Sequence, residues 1–207
     1  MAGKKLSRAV PAFSIVFIVA AAALTMLTSC RTTSGSDHDQ IVRTAIDLAD
    51  TYSKADRLED ALVVYDRALA EADDYRLYFN KALILSGLDR KQEAADLCAL
   101  GFEKYPYILK FKTAQAEFLY AAGNTGLAFQ VYDEIMELNP YDSEARKLLI
   151  ERLLASGQKN SAYEQALILW NQGCKDKDTI GYLYSIRPDV WSSVYSLMNA
   201  ENSGSSN

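Results

Sequence analysis

Histidine is almost missing from this chain, His38 being the only one. With no second imidazole, histidine-based zinc sites and acid–base pairs lack their donors, and His38 has no second ligand near it in sequence. Cysteine is nearly as scarce: three residues in 207 cannot make the dense disulfide framework of a small secreted domain. Ten glycines are present, but no glycine-rich phosphate loop, nucleophile motif or metal-ligand cluster appears among them. Carboxylates such as Glu117 and Glu151 recur at helical spacing and read as solvated faces, so no enzyme, cofactor or metal is indicated. Positive charge is in deficit too, with 22 basic against 27 acidic residues and a net charge of −5. That balance argues against nucleic acid, whose phosphates select a basic surface, and against a polybasic membrane-binding face. Alternation of apolar and polar residues is absent as well, which leaves no candidate strand.

What is present is unevenly placed. Lys4, Lys5 and Arg8 precede a run without charge over residues 11–27. A cationic stub, an apolar core and then small residues form a secretory signal pattern. A membrane-spanning helix wants ~20 apolar residues, and this shorter, alanine-rich run falls below that. The decisive residues are Leu27-Thr28-Ser29-Cys30, which resemble the lipobox of bacterial lipoproteins. The resemblance implies a signal peptide over 1–29 and a Cys30 that carries lipid. It places the mature protein in the bacterial envelope, anchored and periplasm-facing. Arg31 is not the aspartate of inner-membrane retention, which leans toward the outer membrane. Cleavage would remove three bases and no acid, moving the net charge from −5 to −8. The next residues (RTTSGSDHDQ) have no apolar member, so 30–40 reads as a flexible tether spanning roughly 18 Å.

From residue 41 to 172 the chain repeats itself. Ala61, Ala94, Ala128 and Ala162 are spaced 33, 34 and 34 residues apart, and Pro106 and Pro140 by 34. Gly123 and Gly157 each stand five residues before one of these alanines. A period of 34 with helical patterning resembles the tetratricopeptide family. The expected fold is therefore all-α: a superhelix of four hairpins (about 42–74, 75–108, 109–142 and 143–172) with C-terminal capping helices over 173–199. Small residues at repeat positions 8, 20 and 27 let helix backbones approach, while larger groups at 11 and 24 fill the space between repeats. Glycine at position 15 ends the first helix in a left-handed residue, and proline at 32 blocks continuation of the second. Cys98 falls at core position 24. Cys174, two repeats on, lies beyond the ~7 Å that a disulfide tolerates.

In the cap, residues 179–186 predict one short helix and Pro188 the first turn of another. Val190, Val194, Leu197 and Met198 share one face of the second, with Trp191 and Tyr195 on its flank against repeat four. Residues 200–207 are small and polar and read as disordered.

Tetratricopeptide arrays bind ligands along the first helices of their repeats, so the resemblance nominates positions 2, 5, 9, 12 and 13. In repeat one these include Arg43, Asp50 and Lys54, and in repeat two Arg76, Phe79 and Leu83. Repeat three supplies Lys110, Glu117 and Tyr120, and repeat four Lys147 and Glu151. The surface is mixed in charge, with an apolar patch at Phe79, Leu83 and Tyr120 between cations. It suits an extended peptide or a partner loop. The lysine and asparagine of a carboxylate clamp are not at positions 5 and 9. Two functions fit. One is a non-catalytic scaffold or assembly subunit that binds another envelope protein and is held to the membrane by lipid on Cys30. The other is a ligand-handling subunit of an uptake system that partners a solute-binding protein.

Overall fold

The computed structural model describes residues 34–204, and every regular element in them is a helix. In chain order these are α1 (Ser34–Lys54), α2 (Leu58–Glu71), α3 (Tyr75–Gly87), α4 (Lys91–Lys104) and α5 (Lys110–Ala121). After them come α6 (Thr125–Leu138), α7 (Ser143–Ala155), α8 (Lys159–Asn171), α9 (Lys177–Ile186) and α10 (Pro188–Gly204). The expected all-α hairpin array is present. Successive helices pack in pairs, and each pair stacks on the next.

The residue at position 15 sets each hairpin. Asp56, Asp89, Gly123 and Gly157 all have positive φ, between 57° and 84°. Each left-handed residue turns the chain so that the next N–H reaches back five residues. Arg57, Arg90, Asn124 and Gln158 donate to the carbonyls of Tyr52, Leu85, Leu119 and Leu153 at 2.8–2.9 Å. These bonds satisfy carbonyls that the helix end leaves open. Aspartate thus does in repeats one and two what glycine does in three and four. At three helix starts an aspartate caps the backbone: Asp74 accepts from Arg76 N–H, Asp142 from Ala145 N–H and Asp176 from Thr179 N–H.

The core follows the 34-residue period. Ala61, Ala94, Ala128 and Ala162 are fully buried, as are Ala49, Ala82, Ala116 and Ile150 at position 8. Small side chains there let paired helices approach closely. Position 3 does the stacking between repeats: Leu77, Phe111 and Ala145 are each buried against the preceding hairpin. Cys98 is fully buried, and burial pushes its thiol up to about 12, so it serves as a small apolar residue. Cys98 and Cys174 are both free thiols. Arg146 is also buried; its guanidinium donates to Gln165 Oε1 and, at 2.7 Å, to the Pro140 carbonyl, tying α7 to α8 and to the turn before it.

Two boundaries and one packed face differ from expectation. The helix α1 begins at Ser34, inside the stretch read as a flexible tether. Asp39 explains part of this, pairing with Arg43 one turn on at 2.8 Å and with Arg76 of α3 at 3.0 Å. At the other end α10 continues to Gly204, into the segment read as disordered. The packed face of α10 is also rotated from the expected one. Val190 and Leu197 are 51% and 66% exposed, while Trp191 packs against repeat four as expected. Its ring meets Trp170 edge-on at 5.0 Å, and its N–H donates to the Tyr163 hydroxyl. No described helix is long and apolar enough to cross a membrane. The segment read as a signal sequence, and Cys30 with it, lie outside the described residues.

Candidate functional site

The nominated positions line the first helices of the hairpins, but the structure divides them into two groups. One group is committed to pairs between repeats. Arg76 binds Asp74 within its own turn, at 2.9 Å, and Asp39 of α1; the hydrogen bonds it donates to these two carboxylates raise its pKa. Glu117 accepts from Arg152 of the next repeat at 2.5 Å and from the Tyr132 hydroxyl beneath it. Burial works to raise the Glu117 pKa, yet the Arg152 and Tyr132 hydrogen bonds outweigh it and hold the carboxyl below its ordinary value. Glu117 is therefore a half-buried structural acid, not the solvated carboxylate read from its spacing. Lys147 reaches Asp176 and Asp178 of the cap at 2.6 and 3.3 Å, and the Asp176 hydrogen bond raises its pKa. Burial opposes ionisation of Asp176, but Lys147 and the Thr179 N–H hold its carboxyl far below the usual range. Glu151 accepts from the Tyr182 hydroxyl at 2.8 Å. Apart from Asp74 and Tyr132, these partners lie 29 to 37 residues away, about one repeat.

In the first repeat, Arg43 pairs with Asp39, and Lys54 with Asp50 at 2.5 Å. Both are exposed, same-helix pairs, which contribute little to stability.

The other group stays open. Phe79, Leu83 and Lys110 line one pocket of about 320 Å³ between α3 and the start of α5, together with the paired Arg76 and with Tyr75, Asn80 and Ile108. Its floor is apolar, with the Phe79 ring packed edge-on against Phe111 at 5.9 Å. Leu83 is 46% exposed. The Lys110 ammonium lies 4.1 Å from the centre of the Phe79 ring and has no ion-pair partner among the described residues. An apolar floor beside an unpaired cation is suited to an apolar side chain flanked by a carboxylate.

Tyr120 does not join this pocket. It packs on Phe129, lies under the Arg152 guanidinium, and shares a 3.2 Å hydrogen bond with Ser156. The apolar patch expected at Phe79, Leu83 and Tyr120 is thus two places. Sequence reasoning missed Tyr75 and Ile108, and also the tyrosines that pack outward from Tyr75. Tyr105 meets Tyr75 edge-on at 6.1 Å and Tyr107 at 6.5 Å, and Tyr107 is 78% exposed. A faint signal existed: Tyr107 and Tyr141, the latter 77% exposed, share one repeat position. Among the described residues no cluster of histidine, cysteine, aspartate or glutamate could hold a metal ion.

No protein-family model matches the chain, and no curated protein matches its sequence. Solved structures do share its fold. MamA from Desulfovibrio magneticus RS-1 matches with a TM-score of 0.60 at 16% identity, over 80% of this chain and 98% of that one. A tetratricopeptide repeat protein from Parabacteroides merdae ATCC 43184 matches with a TM-score of 0.57 at 15% identity, over 78% and 63%. YrrB, described as a TPR protein with an unusual peptide-binding site, matches with a TM-score of 0.52 at 20% identity, over 76% and 81%. At such identities the likeness is one of fold, and the fold is tetratricopeptide-like.

Proposed function

We propose that the protein is a non-catalytic interaction scaffold of the bacterial envelope, anchored by lipid on Cys30, that binds an extended segment of a partner protein. The carrying observation is the pocket of Tyr75, Phe79, Leu83, Ile108 and Lys110. Extended peptides are held by a few anchors in such pockets, and aromatic and cationic residues at the centre dominate the binding energy. The chemistry favours a segment with an apolar residue next to an acidic one. The lipobox at residues 27–30 supports the anchor.

The test combines Leu83→Asp with Lys110→Glu in the full chain. Both side chains are open to solvent, so the helices should melt as in the parent. Capture of the native partner from envelope extract should fall at least tenfold, whereas Glu137→Lys, on the exposed face of α6, should bind normally. Equal capture by the double variant and the parent would overturn the pocket assignment.

A further inference from the structure

The first hairpin lacks something that the next three have. Position 3 of repeats two, three and four (Leu77, Phe111 and Ala145) is covered by a preceding hairpin and at most 2% exposed. In repeat one this position is Thr44, which is exposed, and no described helix precedes it. Among the described residues a cleft of about 510 Å³ lies open between α1 and α2. Its floor is Ile41, Ala45, Leu48, Val64 and Ala68, with Leu48 43% exposed. Asp37, Gln40, Arg67 and Glu71 line the cleft as well.

The floor selects among occupants. The polar lining residues are Asp37, Gln40, Thr44, Arg67 and Glu71, so an extended peptide crossing the apolar floor has to place its N–H and C=O groups on those five side chains or bury them without partners, at a cost. A hydrocarbon chain has no such groups. The place of the cleft selects further. Its first lining residue, Asp37, is seven residues after Cys30, and Ser34, where α1 begins, is four after it. Four residues span at most ~14 Å, so a lipid on Cys30 holds this end of the repeat stack at the bilayer and leaves little room there for a second copy. Along α1 the lining runs from Asp37 to Leu48, about 17 Å at the helical rise. An acyl tail that fills one leaflet of a ~30 Å hydrocarbon core is about 15 Å long. Length, polarity and position agree.

We propose that the cleft between α1 and α2 holds one acyl chain of the lipid carried on Cys30. The proposal rests on the lipidation reading. The remaining tails stay in the bilayer, and the tucked one clamps the first hairpin to the membrane surface.

Cells fed a diazirine-bearing palmitate analogue would load the photoreactive tail onto the full-length protein, which is irradiated in its own membrane and digested for mass spectrometry. Cross-links should join the lipidated Cys30 peptide to peptides containing Ile41–Leu48 or Val64–Glu71 of the same molecule. Leu48→Asp and Thr44→Trp, both at exposed positions, should each cut that yield several-fold while label on Cys30 and the melting curve stay unchanged. Label on Cys30 with cross-links only to bilayer lipid would overturn the cleft assignment alone. Cross-links joining two copies through the cleft would overturn it in favour of self-association. Absence of label on Cys30 would overturn the anchor and this proposal together.

Discussion

The ring of Phe111 occupies the space that a side chain on Gly101 would need, with Phe111 Cζ 2.7 Å from where a Cβ would stand. Gly101 sits at position 27 of repeat two and Phe111 at position 3 of repeat three, so the pair is the contact through which α4 receives α5. Gly101→Ala should push the ring off its seat and cost about 1–3 kcal/mol, as overpacking does. Gly126 is the control. Nothing lies within 4 Å of its missing Cβ, and it is helical, so Gly126→Ala should stabilise by about 0.5–1 kcal/mol. Thermal melts of the two variants should shift in opposite directions; a shared direction would refute the packing account.

Glu117 predicts an acid dependence whose sign is fixed by its partners. Its folded pKa is lowered from 4.5 by Arg152 and Tyr132 against the opposing effect of burial. A depressed carboxylate contributes stability that is fully present above the unfolded pKa and is lost as pH falls through the folded one. Glu117→Gln should cost about 1–3 kcal/mol near neutral pH, because Arg152 then loses its charged partner. The gap between parent and variant should narrow as pH drops below 4.5. Melting temperatures of both proteins across pH 3–7 check this, and a gap that stays constant would place the stabilising charge elsewhere.

These two pairs mark where sequence reading stops. The buried alanines were legible because a steric demand repeated every 34 residues leaves the same small residue each time. Asp56 and Asp89 hid half of the turn pattern, since glycine at 123 and 157 announces a left-handed residue and aspartate does not. The start of α1 was illegible for another reason. Residues 34–40 have no apolar periodicity, and what fixes Asp39 there is Arg76, 37 residues away. In the groove, residue types showed which positions could bind but not which were already engaged. Arg76, Glu117, Lys147 and Glu151 spend their charges on neighbouring repeats, and only Lys110 remains open beside its ring.

The left-handed residues give a third prediction. Gly123 has φ of +84° with open space around its Cα, so the cost of a side chain there is backbone strain and not collision. Gly123→Ala should destabilise by about 1 kcal/mol, since an L-residue in this region loses roughly 1–2. Asp89 already bears that strain at φ 62°. Asp89→Gly relieves it while loosening the unfolded chain, so the two effects should nearly cancel. Denaturant midpoints with unchanged slopes would confirm both; a large loss in Asp89→Gly would mean that the aspartate side chain holds the turn.

The last prediction uses the two tryptophans, Trp170 and Trp191, which are the only ones in the chain and face each other across the α8–α10 contact. Tryptophan emission therefore reports on the seam between repeat four and the cap, whereas far-ultraviolet circular dichroism averages over every helix. In a stacked array each unit is held by its neighbours, and an end unit has only one. The cap is such an end: α9 and α10 pack on each other and α9 on α8, and α10 leaves Val190 and Leu197 exposed. Opening there should precede opening of the middle repeats, so the emission should shift to the red at lower denaturant than the loss of helicity. Trp191→Phe should widen the interval between the two transitions, because it removes the hydrogen bond to Tyr163 and shrinks the ring on Trp170. Lys147→Met should widen it too, by breaking the tie from α7 to Asp176 at the start of α9. Coincident transitions in the parent and both variants would show that the cap and the repeats unfold as one unit, and that the Trp170–Trp191 contact is no weaker than the repeat interfaces behind it.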